Sequence, residues 1–222
     1  MLDIFKRNTF HSLTDPRLTS ENTLQLDLSE NNPELSVNDV QDAESLQHWL
    51  DNQLKKHNKE YAIGGYLEER LVYKRSTHFN NVDGESRTIH LGTDLWGPER
   101  WPIFAPMAGR VHSFQENNNY GDYGPTIILE HHLNNQTFYT LYGHLSRDSI
   151  MGIKKHQEVE KGQRIALLGN PMENGNWPPH LHFQLIMDME GREGDFPGVA
   201  APSQLSKFKH LCPDPNLIIQ FE

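Results

Sequence analysis

Two histidines separated by one residue, His180-Leu-His182, sit in a run whose neighbours alternate in character. In a strand, residues i and i+2 point to the same face, so both imidazoles enter the same space. Far upstream, His90-Leu-Gly-Thr-Asp94 offers a nitrogen and an oxygen donor on one face of an extended segment, with Gly92 leaving room between them. Three donors of the His/His/Asp type leave a fourth position for water, which is the open coordination of catalytic rather than structural zinc, and no thiolate takes part. Manganese, iron and cobalt accept the same donors. Each motif alone is weak, because H-x-H occurs more often as a pair of ordinary strand histidines and H-x-x-x-D is less specific still. The set stands out through its order along the chain, with Tyr142-Gly-His144-Leu-Ser146 lying between the two motifs at the end of a predicted strand.

The chemistry such a site offers is hydrolysis. Zinc lowers the pKa of bound water from 15.7 to about 7. The chain has no H-E-x-x-H, so no glutamate is offered as a neighbouring general base, and histidine, titrating near neutrality, is the natural replacement.

His90-Leu-Gly-Thr-Asp94, Tyr142-Gly-His144-Leu-Ser146 and His180-Leu-His182-Phe together resemble the three signatures of the lysostaphin-type (LytM-like) zinc metallopeptidases. Ile103-Phe-Ala-Pro-Met-Ala-Gly-Arg-Val111, Ile127-Ile-Leu-Glu-His131 and Val159-Glu-Lys-Gly-Gln163 match the strand and turn phrases of that family, so the resemblance runs from about Ile89 to Leu185. It implies a mainly β fold, a compact antiparallel β-sheet groove (duplicated hybrid motif) holding one zinc ion per chain. It also implies that His90, Asp94 and His182 bind the metal and that His144 and His180 are catalytic. The expected activity is that of an endopeptidase on a peptide or a peptidoglycan-like substrate.

Some phrases depart from the common pattern. The segment before the histidine pair, Glu173-Asn-Gly-Asn-Trp-Pro-Pro179, is stiffened by two prolines and carries Trp177, which could line a pocket or cover the core. Gln184 stands where the family often has Glu, which would alter a hydrogen bond behind the metal ligands. Tyr123-Gly-Pro-Thr-Ile-Ile, Gly194-Asp-Phe-Pro-Gly-Val-Ala-Ala-Pro202 and Pro213-Asp-Pro-Asn-Leu217 look like phrases of a subgroup whose module is often joined to a small-molecule kinase-like domain and a class III aminotransferase. The Gly194–Pro202 stretch reads as a structured connection or as a lid. His131, near a predicted strand end, could face the site. His11, His48, His57, His78, His112, His132, His156 and His210 read as solvated or structural.

The elements that must position these residues follow from periodicity. Residues 1–60 form an N-terminal extension, polar, partly disordered and with one helix; residues 61–222 form the β domain. Leu24, Leu26 and Leu28 alternate as in a short strand. Ser36-Val-Asn-Asp39 has the form of a capping box, and Val40, Ala43, Leu46, Leu50 and Leu54 then recur at helical spacing, predicting one amphipathic helix that ends near His57. After Gly64-Gly65 the chain becomes short β-rich runs punctuated by Gly, Pro and Asn, including 126–130 and 137–142 joined by a hairpin loop, then 102–114, 163–168 and 180–186.

Composition narrows the partners. Thirty acidic residues against 20 basic ones give a formal charge of −10, which disfavours nucleic acid and anionic polymers. No stretch has the apolar length of a membrane span, and Cys212, the single cysteine, cannot close an intramolecular disulfide. The polar residues after Met1-Leu-Asp-Ile-Phe-Lys-Arg-Asn lack the apolar core of a secretory signal, so a cytoplasmic location is expected, with a periplasmic or exported protein as the alternative if a signal was removed. A protein partner is not legible. Two other readings compete with the hydrolase: a metal-binding module without turnover that scaffolds or regulates a partner, and a latent enzyme whose N-terminal segment occupies the groove.

Overall fold

A computed structural model describes residues 2–75 and 85–222, with Lys74 and Arg75 known by backbone alone. The strands are β1 (Thr23–Gln25), β2 (Tyr61–Gly64), β3 (Ile89–His90), β4 (Thr93–Trp96), β5 (Pro102–Phe104), β6 (Gly109–Asn117), β7 (Gly124–Leu133), β8 (Gln136–Gly143), β9 (Glu158–Val159), β10 (Arg164–Leu167), β11 (His180–Ile186) and β12 (Val199–Ala200). An eight-stranded sheet runs β1-β2-β4-β11-β8-β7-β6-β9. Within it β1 and β2 pair parallel, and the other neighbours are antiparallel. Two small ribbons, β10 with β5 and β12 with β3, flank it. The fold is therefore mainly β with a large antiparallel sheet, as the sequence predicts.

The sheet's inner strands are covered on both faces: β11 is buried along its whole length and β7 along its first eight residues. One cluster, containing Ile127, Leu129, Tyr142, Phe183 and Leu185, lies on one face, and a second, containing Leu91, Ile128, Leu141, Ile186 and Phe196, lies on the other. The β7–β8 hairpin turns on Asn134 and Asn135, both with positive φ (50° and 64°), a two-residue turn that matches strand twist. The strands therefore extend to Leu133 and from Gln136, and the loop is shorter than the sequence suggests.

The N-terminal residues do not stand apart from this sheet. β1 and β2 extend its edge beyond β4, and Leu26 and Leu28 are buried. The amphipathic helix α1 (Ala43–His57) ends where its periodicity predicts, on Asn58 in the left-handed conformation. Its start differs: Asp42, not Ser36, caps it, accepting from the backbone N–H of Ser45. Ser36 and Asp39 instead close a turn of their own, Asp39 accepting from the Ser36 N–H and Oγ. Leu46, Trp49 and Leu50 of the helix pack with Trp96 of β4 and Trp177 in a third cluster. Burying each such side chain contributes about 1.5–3 kcal/mol, which holds this segment against the sheet. No helix among the described residues is long and apolar enough to cross a membrane.

Candidate metal centre

The register places the donors. Asp94 on β4 stands directly opposite His182 on β11, and His182 is opposite Gly143 on β8, so His144 follows at the strand's end. His180 is opposite Trp96 and stacks on it, with ring centroids 4.1 Å apart. β3, tied to β12 by the pairing of His90 with Val199, brings in the remaining imidazole.

His90, Asp94 and His182 can hold a metal ion. His90 Nε2 is 2.9 Å from His182 Nδ1, and Asp94 Oδ1 is 3.3 Å and 3.2 Å from these two nitrogens. A tetrahedral zinc ion with bonds of about 2.0–2.2 Å holds its ligand atoms roughly 3.3 Å apart or slightly more, close to this triangle. The second nitrogen of each ring is committed. His90 Nδ1 lies 2.9 Å from Gly65 O and donates to it. Gln184 donates from Nε2 to Pro197 O, which turns its Oε1 to His182 Nε2 at 2.9 Å to accept the imidazole proton. Two lone pairs thus face one another, and Asp94 Oδ1 has no hydrogen-bond donor among the described residues. A buried cluster of acceptors repels itself unless a cation sits among them, so the residues present fit zinc. Gln184, the departure from the usual glutamate, leaves the lone pair of His182 Nδ1 facing the triangle without adding charge.

Asp94 carries a second support from outside all the motifs. Arg70, only 3 % exposed, donates from Nη1 to Asp94 Oδ2 and from Nε to Glu68 Oε2, 2.7 Å away. Burial alone would raise the Asp94 carboxyl, but His90 and Arg70 outweigh it and hold Asp94 well below the usual carboxylate range. Glu68 Oε1 also accepts from the Leu28 N–H at 2.9 Å, so the chain from the N-terminal segment to the metal donors is continuous.

Beside the triangle, His144 donates from Nδ1 to Asn174 O at 2.7 Å, and His180 from Nδ1 to Pro178 O at 2.8 Å. Each keeps its lone pair at Nε2, and the two rings lie 4.2 Å apart. Burial pushes His180 down to about 4 and His90 to about 3, and it carries His144 well below its ordinary value, so all three are neutral near pH 7. His144 has φ +61°, a left-handed backbone unusual outside glycine, fixed by its N–H on Tyr123 O and its carbonyl accepting from the Gly169 N–H.

Gly92 is required by close approach. A Cβ there would lie 2.6 Å from the His182 ring atoms Cε1 and Nε2 and 2.8 Å from Phe183 O. Gly92→Ala is therefore expected to tilt His182 off Gln184 and weaken metal binding by about 10–100-fold, the range for losing a ligand's supporting contact. Competition with a chelator of known affinity measures it, and an unchanged affinity would mean that the ring can move without cost.

The remaining sequence expectations separate here. Trp177 serves both of its alternatives, being core-packed and lining the cavity over the donors. The Gly194–Pro202 stretch is a structured wall rather than a lid: β12 is paired, Phe196 is fully buried, and Phe196 O accepts from Tyr123 Oη. His131 does not face the site; its ring nitrogens contact Ala108 O and Thr140 Oγ1. His78 lies outside the described residues. Arg70 and Tyr123 were not singled out from sequence as parts of the site, since neither lies in a metal-binding pattern. Cys212 is buried against Gln184 and its thiol is pushed up to about 12, so it stays protonated.

Residues 88–193 match the family model described as Peptidase family M23. The chain is 35% identical over 98 residues to the Peptidoglycan DD-endopeptidase ShyA of Vibrio cholerae, covering 44% of this chain and 20% of that one. It is 31% identical over 102 residues to the Murein hydrolase activator NlpD of Escherichia coli, covering 46% and 24% respectively. The chain thus spans well under two thirds of the curated relatives it matches. Among solved structures it is similar to the catalytic domain of the antimicrobial peptidase lysostaphin from Staphylococcus simulans, at 24% identity and a TM-score of 0.44, covering 72% of this chain and 96% of that one. The segment that is similar to Peptidase family M23 contains all five histidine and aspartate side chains of the centre.

Proposed function

We propose that the protein is a zinc-dependent metallopeptidase, an endopeptidase that binds one zinc ion through His90, Asp94 and His182 and uses His144 and His180 as its catalytic pair. The observation that carries this reading is the buried triangle of His90 Nε2, His182 Nδ1 and Asp94 Oδ1, with both imidazoles held in the ligating tautomer. When bound, zinc supplies a Lewis acid and a water acidified to a pKa near 7. His144 and His180, neutral and with Nε2 available, take the proton of the attacking water and return it to the leaving amine. Whichever of them is protonated at a given moment also donates a hydrogen bond to the developing oxyanion. Such transfers by a positioned group are worth about 10² to 10⁴ in rate. The substrate is a peptide or a peptidoglycan-like peptide, as the names of relatives such as the DD-endopeptidase suggest.

The subgroup reading is supported by the meeting of two of its phrases at the site, where Tyr123 donates to Phe196 O at 3.2 Å and both residues line the cavity. A cytoplasmic location accords with that subgroup and with the acidic charge, which also opposes nucleic acid and an anionic membrane surface as partners. The second reading, a regulatory module without turnover, draws on similarity to a protein named as a hydrolase activator. Retention of every ligand and both candidate catalytic histidines favours turnover.

Elemental analysis paired with peptide hydrolysis tests the proposal. One zinc per chain, with cleavage abolished by chelator and restored by zinc, is the expected result. Bound zinc with no cleavage of any peptide would transfer the assignment to the regulatory module, and absence of metal would overturn both.

A further inference from the structure

The candidate metal donors and the two neighbouring histidines are almost fully covered by protein. His90, Asp94, His180, His182 and His144 are 1%, 1%, 3%, 3% and 5% exposed, and they form one side of a cavity of about 210 Å³. The cavity is also lined by five apolar residues that precede the matched segment, Leu28, Leu35, Val40, Leu46 and Val72, each at most 7% exposed, and by the charged Arg87, Asp122, Arg192 and Asp195. Trp96 and Trp177 join that apolar wall to the sheet, packing in one cluster with all five. At roughly 30 Å³ per water, the cavity holds the equivalent of about seven waters, the scale of one amino-acid side chain and its adjoining amide.

Resting on the zinc-peptidase reading, we propose that this cavity is a specificity pocket and that the substrates are short, unbranched peptides carrying a leucine- or phenylalanine-sized side chain next to the scissile bond. The N-terminal residues then complete the site instead of blocking it. Their apolar side chains belong to a packed core, β1 and β2 are strands of the main sheet, and space remains between them and the donors. A short peptide can enter such a cavity side chain first. Each methylene buried on such a wall strengthens binding roughly fourfold.

The test uses the zinc-loaded full chain and three hydroxamates that share a metal-binding head: those of glycine, leucine and phenylalanine. Calorimetry should give Kd values at least tenfold lower for the leucine and phenylalanine compounds than for the glycine compound. Short acetylated peptides containing Leu or Phe should be cleaved at least tenfold faster than their Gly counterparts and than isolated peptidoglycan sacculi. Val40→Phe, which fills the cavity, should reduce the leucine preference with zinc content retained; if that variant fails to fold, the wild-type series decides alone. Equal hydroxamate affinities in a protein that holds zinc, or sacculi cleaved faster than short peptides, would overturn the pocket while leaving the peptidase reading intact. A chain that takes up no zinc and binds none of the three compounds would overturn the peptidase reading and the pocket with it.

Discussion

His182→Ala loses its zinc, whereas His180→Ala keeps the metal and loses turnover. The two residues are two positions apart on β11, equally buried, and both line the cavity, so neither exposure nor strand face separates them. Their nitrogens do. His182 Nδ1 sits 2.9 Å from His90 Nε2 and 3.2 Å from Asp94 Oδ1, inside the donor triangle. The Nε2 of His180 is 3.9 Å from the same carboxylate oxygen, outside it, and its ring is held by the Trp96 stack and by Pro178 O. Removing His182 leaves two of the three donors, His90 Nε2 and Asp94 Oδ1. Removing His180 leaves three donors and a proton relay short of one imidazole, which should lower kcat by about 10² to 10⁴ with little change in affinity for metal. His144→Ala should behave as His180→Ala does. Zinc content of the purified variants, measured beside single-turnover rates, checks the division; equal metal loss at His180 and His182 would sink it.

The cluster of His90, Asp94 and His182 was legible because local geometry does part of the work, although His90 and Asp94, expected on one extended segment, lie on separate strands, β3 and β4. A period of two puts His180 and His182 on one face, and a glycine at 92 admits the imidazole that crosses over it. The strand-like runs and the helix's end at His57 were equally local. The cap at Asp42 was missed because Ser36-Val-Asn-Asp39 also has the sequence of a cap, and it is the packing of Leu46 and Trp49 with Trp96 that accompanies the later start. The left-handed backbone of His144 carries no signal in its residue type. The apolar wall was invisible for a different reason. Leu28 reads as part of a strand alternation, Val40 as the start of the helical series, and Leu35 and Val72 belong to no pattern, so nothing in their spacing says that they line one cavity with the candidate metal donors. Arg70 belongs to the same class, a lone arginine whose meaning depends on a partner in a distant strand.

Substituting that arginine is expected to have the largest effect of any change outside the ligands. In Arg70→Met the side chain keeps its bulk, but Asp94 Oδ2 and Glu68 Oε2 each lose a buried donor. Breaking one side of a buried ion pair typically destabilises by about 3–5 kcal/mol, because the partner's charge is left uncompensated. In a chain of this size that corresponds to a fall in Tm of roughly 10 °C. The guanidinium that binds Oδ2 is also what aims Oδ1 at the two imidazoles, so a carboxylate free to rotate should bind zinc about 10–100-fold more weakly. By linkage, the same zinc concentration should then raise the Tm of Arg70→Met by less than it raises that of the wild type. Chelator competition and the zinc-induced Tm shift both read this loss. Arg70→Lys separates charge from shape. Lysine restores a cation but cannot reach both carboxylates with a planar fork, so it should recover much of the apo Tm and little of the affinity. If Arg70→Met melts and binds zinc as the wild type does, Asp94 is held by its strand alone, and the link from the N-terminal segment to the metal centre carries no energetic weight.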